Sequence, residues 1–376
     1  MADVPAPMAP AQGRGFVSLT ALVARRGFQK WAARFPFTRG LVRREGEALF
    51  DLLAGFCHSQ VLMALVQLDI PQILMAGPAT VRALAARTDV PEPRMVVLLQ
   101  AGIALGLLRR RRGARFGLTQ RGAALVGVPG LQQMIRHHDV LYRDLADPVA
   151  FFRGETDTEL AHFWPYVFGG EVEPQVAETY SDLMAQSQLL VADDTLDRVS
   201  LKGVTRLMDI GGGTGAFLAE AGRRYPALAL TLFDLPAVAP HAAARFAQEN
   251  LTPRSQIKTG SFRSDALPKG ADAVSLVRVL YDHADETVEA LLTKVYNALP
   301  AGGRLIISEP MSGGARPQKA GDAYFAIYTL AMGTGKARSA AEIAQMCRKA
   351  GFQSVSPLSA RRPFITTCVV ATKGSA

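Results

Sequence analysis

A chain of 376 residues with 49% hydrophobic and 20% charged side chains has enough apolar material for two or three domains and is too apolar to be disordered throughout. Its three cysteines, Cys57, Cys347 and Cys368, have no Cys-x-x-Cys spacing, which argues against a zinc site or a disulfide framework and fits a reducing compartment; no metal is expected. The net charge of +9 is local: residues 1–44 hold eight Lys and Arg against one acid and residues 109–121 hold six Arg and no acid, so attraction to anionic surfaces belongs to those two stretches.

In the first stretch, 1–44, Phe16, Leu19, Leu22 and Val23 alternate with Arg25, Arg26, Lys30, Arg34 and Arg39. This reads as a basic amphipathic arm that either rests on a membrane or packs on a partner subunit. The apolar run Phe16 to Ala24 is short and is followed rather than preceded by basic residues, so it is no secretory signal. Met95 to Leu108, taken as the longest charge-free apolar stretch, is too short to span a bilayer. The expected location is the cytoplasm, peripheral to the inner membrane if the arm engages lipid.

Residues 45–130 predict helices over Glu47–Ala54 and His58–Leu68, a break at Ile70-Pro71, a short helix capped by Thr80, a helix from Glu92 to Gly106 and a basic hairpin ending at Thr119. Helix, turn, helix and hairpin is a winged-helix pattern. A DNA-reading helix needs polar side chains for base edges. Met95, Val96, Val97, Leu98, Leu99, Ile103 and Leu105 leave almost no polar face, so this helix is expected to pack against another subunit and no nucleic acid is expected as a partner. Residues 131–200 are helical and aromatic. Phe151, Trp164, Tyr166, Tyr180 and Met184 are either core or the roof of a pocket for a large apolar substrate.

From residue 201 to 376 strands and helices alternate, which predicts an α/β fold with a mainly parallel sheet covered on both faces. The strands expected are Arg206–Ile210, Leu228–Asp234, Gln256–Thr259, Ala273–Val279 and Arg304–Glu309, with Ser354–Ser359 and Phe364–Ala371 closing the sheet. Helices are expected at Ala216–Arg224, Val238–Asn250, Glu286–Leu299 and Ala340–Ala350. Ligands bind at the carboxyl ends of such strands, where Asp209, Asp234, Ser261, Arg278 and Glu309 all fall. The run Asp209-Ile210-Gly211-Gly212-Gly213-Thr214-Gly215 lets a ligand approach the backbone closely and leads into a helix whose first N–H groups lack partners. Asp234, at the tip of the next strand, suits a ribose diol, because a carboxylate accepts from two hydroxyls at once. The looser Gly211-x-Gly213-x-x-Ala216 pattern leaves a nicotinamide oxidoreductase open. The motif lies past the middle of the chain, which favours a single nucleoside-bearing methyl donor.

On Asp209–Gly215, Phe233-Asp234-Leu235-Pro236, Gly260-Ser261-Phe262, Ala298–Leu305 and Ser308-Glu309-Pro310, residues 50–372 resemble the S-adenosylmethionine-dependent O-methyltransferases of the plant caffeic-acid and hydroxyindole type. The resemblance implies a winged-helix dimerisation domain, a Rossmann-like seven-stranded methyltransferase domain, a homodimer and S-adenosyl-L-methionine as cofactor. It implies cofactor contacts from Asp209, Gly211, Gly213, Asp234, Leu235 and Phe262, with Arg278 where Lys is usual and Ser261 where Asp is usual. The family pattern His-Asp-Trp is here Tyr281-Asp282-His283, so His283 or Tyr281 is expected to take the hydroxyl proton, with Glu309 orienting. The Tyr-Asp-His variant, Phe163-Trp164-Pro165-Tyr166 and the basic arm further resemble the carotenoid-methylating branch of that family in purple photosynthetic bacteria. This implies a hydroxylated carotenoid as the small hydrophobic substrate and a place in carotenoid biosynthesis. A bacteriochlorophyllide C-methyltransferase, another small-molecule O-methyltransferase and a winged-helix regulator are the alternatives. A tertiary alcohol is a very weak acid, so positioning is expected to outweigh base strength.

Overall fold

The computed structural model describes residues 18–162 and 187–375. Trp164, Tyr166, Tyr180 and Met184 lie outside the described residues. The chain divides into two compact units, Met1–Ala64 and Leu65–Ala376.

In the first unit α1 (Leu19–Val23) and α2 (Arg26–Arg34) precede α3 (Arg39–Gln67). The basic arm is therefore broken rather than one continuous amphipathic helix. Phe35 takes an extended conformation, ψ 127°, as a residue before proline prefers, and ends α2 ahead of Pro36. Conversely, the two helices expected between Glu47 and Leu68 are fused into α3, 29 residues long. Gly55 inside it costs only about 1 kcal/mol relative to alanine, too little to break a helix of that length. Met95–Leu108 is not the longest apolar stretch either: α3 is long and apolar enough to cross a membrane by length and composition, with a hydropathy of 1.6 over its most apolar window, 17% of which is buried. Leu49, Phe50, Leu52, Leu53 and Phe56 are exposed along it. A contiguous apolar face of that kind marks a surface for a partner.

The second unit begins with α4 (Ile70–Ala76), β1 (Ala79–Thr80), α5 (Val81–Thr88), α6 (Glu92–Ala104), β2 (Leu108–Arg111), β3 (Arg115–Leu118) and α7 (Gln120–Gly127). Thr80 caps α5 by accepting from the Ala83 N–H. The hairpin β2–β3 takes β1 as a third, antiparallel strand in the order β1-β3-β2, with Arg109 to Arg111 exposed on it. On α6, Met95, Leu99 and Gly102 are buried but Val96 and Val97 are exposed, so burial is confined to one face. Next come α8 (Leu131–Asp144), α9 (Pro148–Arg153) and α10 (Glu159–His162). The Asp144 carboxylate receives the Glu159 and Leu160 N–H groups and ties α10 to the end of α8. Residues 187–198 form α11.

The remaining elements are β4 (Arg206–Ile210), α12 (Ala216–Arg224), β5 (Ala229–Asp234), α13 (Ala239–Gln248), β6 (Ser255–Thr259), β7 (Ala273–Val277), α14 (Asp285–Ala298), β8 (Arg304–Glu309), α15 (Ala326–Ala331), α16 (Ala340–Lys349), β9 (Ser354–Leu358) and β10 (Thr367–Thr372). The seven strands β4–β10 run in the order β6-β5-β4-β7-β8-β10-β9, with β10 antiparallel to both neighbours. Alternate residues serve opposite faces: Leu207 and Leu232 pack with Phe217 and Phe246 of α12 and α13, whereas Met208 and Phe233 pack with Leu292 and Ile343 of α14 and α16. β7 stops at Val277, two residues short of the expected end. The cause is Arg278, whose φ of 58° is left-handed and cannot continue a strand.

Candidate active site

Asp209 on β4 lies in register with Ser275 on β7. The Ser275 hydroxyl donates to Asp209 Oδ1 at 2.6 Å, while Oδ2 is buried and has no hydrogen-bond partner among the described residues. The loop that follows must hug this carboxylate: a Cβ on Gly212 would stand 2.3 Å from Oδ2. Gly213, at φ 58°, turns its N–H to Asp234 Oδ2 at 2.7 Å, and the Leu235 N–H donates to Asp234 Oδ1 at 2.7 Å. Asp209, Gly211, Gly213, Asp234 and Leu235 are thus gathered at two adjacent strand tips. Burial pushes Asp209 up to about 7, with Ser275 holding it down and Asp234 adding to the rise; burial also raises Asp234 against its two backbone donors. A buried carboxylate beside a half-buried one calls for a ligand that brings positive charge and hydroxyl donors. The amino group and ribose diol of S-adenosylmethionine supply both, and each Asp234 oxygen keeps a second lone pair for a hydroxyl.

At the tip of β6, Gly260 donates its N–H to the Asp234 carbonyl, and the Ser261 N–H donates to Asp265. Lys294 donates to the carbonyls of Phe262, Arg263 and Asp265 and fixes this loop. The Phe262 ring meets the His283 ring edge to face, with centroids 5.2 Å apart, and Arg263 lies 3.1 Å from His283 Nδ1. Arginine only donates, so Nδ1 accepts and the other ring nitrogen of the neutral imidazole carries the hydrogen. Burial, then Arg263 and Arg338, lower the His283 pKa to about 4. His283 therefore sits with Phe262, its free lone pair already engaged, while the Tyr281 hydroxyl turns to Arg278.

Arg278 donates to the Ser187 hydroxyl at 2.8 Å and lies 3.4 Å from the Tyr281 hydroxyl. The turn between them is held by Glu309, whose Oε1 accepts from both the Val279 and Leu280 N–H groups at 2.9 Å. Asp282 Oδ1 and Glu309 Oε2 are buried without hydrogen-bond partners among the described residues. Burial raises the Tyr281 phenol above its ordinary range in spite of Arg278. Burial and Glu309 raise Asp282 well above the carboxylate range, and burial brings Glu309 up to about 7 against its backbone donors and Arg278. The buried Arg338 donates to the Leu280 and His283 carbonyls and pairs with Asp285, clamping the segment from outside.

The sequence reading did not single out four further polar residues beside this cluster. His137 Nε2 is 2.9 Å from the Tyr328 hydroxyl and His138 Nε2 is 2.6 Å from the Tyr324 hydroxyl. Tyr324 ends a π-helical turn, Lys319–Phe325, that runs into α15. The four-residue spacing of Tyr324 and Tyr328 puts both on one face of the helical segment, but it does not name their histidine partners. Phe151, a candidate pocket residue, is 4% exposed in the apolar cluster of Leu141, Leu160, Met332 and Tyr328, so its place is to support Tyr328.

The family model for the O-methyltransferase dimerisation domain matches residues 50–127, and that for the O-methyltransferase domain matches residues 142–353. Demethylspheroidene O-methyltransferase of Cereibacter sphaeroides is 56% identical over 368 residues, covering 96% of this chain and 97% of that protein. The enzyme of the same name from Rhodobacter capsulatus is 51% identical over 368 residues, covering 97% and 92%. Human N-acetylserotonin methyltransferase, solved in complex with its methyl donor, has the same fold, with a TM-score of 0.74 at 24% identity over 88% of this chain and 98% of that one. A helical dimerisation domain ahead of a seven-stranded sheet, with paired carboxylates at the tips of β4 and β5, agrees with all of these, and the chain belongs to the S-adenosylmethionine-dependent O-methyltransferases.

Proposed function

We propose that this enzyme methylates the tertiary hydroxyl of a hydroxylated carotenoid of the hydroxyneurosporene and demethylspheroidene kind. The observation that carries this is the 56% and 51% identity, over nearly the whole chain, with two enzymes named for demethylspheroidene. The cofactor supplies an electrophilic methyl group. Asp234 would accept from its ribose hydroxyls, Asp209 would serve its amino-acid end, and Gly211 and Gly213 would let it approach the backbone. Leu235, Ser261 and Phe262 would hold the base, with His283 against the Phe262 ring and Arg263 bonded to His283. Arg278, Tyr281 and Glu309 would shape the acceptor side, with Phe151 supporting Tyr328 from the apolar cluster behind it; Trp164, Tyr166, Tyr180 and Met184 are the further proposed contacts for an apolar substrate. The working division is a basic arm at 1–44, a dimerisation domain at 45–130, the roof at 131–200 and the catalytic domain at 201–376.

The arm is proposed to bring a cytoplasmic homodimer to the inner-membrane surface where such a polyene dissolves. In α2 and the residues after it, Phe28, Trp31, Phe35 and Phe37 form a chain of ring contacts 4.8–5.6 Å apart. Trp31 is 51% and Phe37 89% exposed. Arg26, Lys30 and Arg34 follow one another at four-residue spacing on the same helix, the combination that suits an anionic interface.

The test is to incubate the enzyme with methyl-labelled S-adenosylmethionine and demethylspheroidene in detergent and to weigh the extracted pigment. One labelled methyl group on the carotenoid oxygen is expected; no label there, with label on a carbon of bacteriochlorophyllide in a parallel incubation, overturns the reading. Cofactor affinity should also depend on pH. Asp209 titrates at about 7, and only its ionised form attracts the ammonium group. Calorimetry should therefore show S-adenosylmethionine binding weakening as pH falls from 8 to 6, and Asp209→Asn should flatten that slope.

A further inference from the structure

The groups around Tyr281 are poor proton acceptors. The phenol and the Asp282 and Glu309 carboxyls are all pushed toward their protonated forms. The histidines that approach this cluster come instead from α8. Tyr328 is buried, its ionisation is coupled to Tyr281, Asp282 and Arg278, and its hydroxyl is joined to His137 Nε2 at 2.9 Å. His138 stands beside it, bonded to Tyr324, whose ionisation is in turn coupled to Arg278 and Tyr142.

We propose that Tyr328 and His137 form the proton exit for methyl transfer. The idea rests on the O-methylation reading above. As the substrate oxygen gains its bond to the methyl carbon, the bond from that carbon to the sulfonium sulfur breaks and leaves its electron pair on sulfur, the substrate O–H bond breaks, and the proton passes to the Tyr328 oxygen. The hydrogen already on Tyr328 passes to His137 Nε2. The Tyr328 hydroxyl is thereby restored, and the positive charge that arrives with the methyl group ends on the imidazolium.

The chemistry favours this route for an aliphatic alcohol. The alcohol itself is too weak an acid to give up its proton first, but an oxygen that has just been methylated is a strong acid. A weak neutral base suffices, provided that it is unprotonated and connected at that moment. Burial and His138 lower His137 to about 4, so the ring is neutral at physiological pH. Among the groups facing it are His138 on its own helix and Tyr328 from the packed helical segment; Tyr324 faces His138, and Tyr281, Asp282 and Arg278 act on Tyr328. The proton acceptor has in effect moved from the family motif to another helix.

The full-length enzyme with S-adenosylmethionine and demethylspheroidene in detergent micelles gives the test. His137→Gln and Tyr328→Phe should each lower kcat by roughly 100-fold, at the low end of general acid–base contributions, while KM and the S-adenosylhomocysteine affinity stay within about threefold. Added imidazole should restore part of the turnover of His137→Ala. A substrate-free readout is long-range 1H–15N NMR of the histidine rings. The His137 and His283 imidazoles should both remain neutral down to about pH 5; one of these two signals should vanish from the spectrum in His137→Gln and shift its titration in Tyr328→Phe. If the wild type is active and either His137→Gln or Tyr328→Phe matches it in kcat, or only KM changes, the relay is wrong. If the wild type methylates no hydroxycarotenoid, the substrate reading falls first and the relay with it.

Discussion

Asp234→Ala should weaken S-adenosylhomocysteine binding by roughly 100- to 10,000-fold. A carboxylate that accepts from two ribose hydroxyls makes two charge-assisted hydrogen bonds, each worth about 1.5–3 kcal/mol, and every 1.4 kcal/mol is about a factor of ten. The same side chain holds the Gly213 and Leu235 N–H groups at 2.7 Å, so its loss also loosens the turn that the cofactor must lie against. Asp234→Asn should fall between wild type and alanine, because it keeps one acceptor oxygen but loses the charge. Calorimetric titration of the dimer reads both. A variant with unchanged affinity would place the cofactor elsewhere.

Glu309→Ala should act on stability and turnover together. Its Oε1 is the acceptor for two buried N–H groups, those of Val279 and Leu280. Orphaning both costs roughly 2–6 kcal/mol at about 1–3 kcal/mol each. The turn they belong to carries Arg278 and Tyr281, so methyl transfer should be lost even in molecules that remain folded. Glu309→Gln separates the two effects, because its amide oxygen still accepts. The pH dependence follows from burial of this acid. Its folded pKa is raised to about 7, so its contribution to stability is fully present below the ordinary glutamate range and is lost as pH rises through about 7. Melting temperatures of the cofactor-free enzyme should fall between pH 5 and 8 less steeply in Glu309→Gln than in wild type.

The sheet was legible because each strand is a short apolar run ending in a turn residue, and each helix shows its own period. The cofactor end was legible for a related reason: Asp209, Gly211, Gly213 and Asp234 sit on consecutive strand–turn units, where local spacing is nearly spatial spacing. The acceptor end was not. It is assembled from α8, the turn after β7, the end of β8 and the π-helical segment before α15, which are distant in sequence. Nothing local announces that His137 meets Tyr328, 191 positions away. Arg278 illustrates a different limit. Apolar patterning ran the strand on to Val279, but the left-handed φ at Arg278 is imposed by tertiary bonds, including Glu309 to the next two N–H groups. The N-terminal half misled in the opposite direction. Gly55 and Cys57 looked like a break, yet the helix on both sides is long enough to absorb a glycine. His283 was a candidate base on chemical identity alone; only the packing of Phe262 and Arg263 around it shows how its lone pair is used.

The central claim is that the carboxylates at the tips of β4 and β5 grip the methyl donor. A crystal structure of the enzyme with S-adenosylhomocysteine tests it most directly. The expected result is a ribose whose two hydroxyls lie within hydrogen-bond distance of Asp234, with the amino-acid end of the ligand toward Asp209. A nucleoside bound away from Asp234, with the Gly211–Gly215 turn bare, would contradict it.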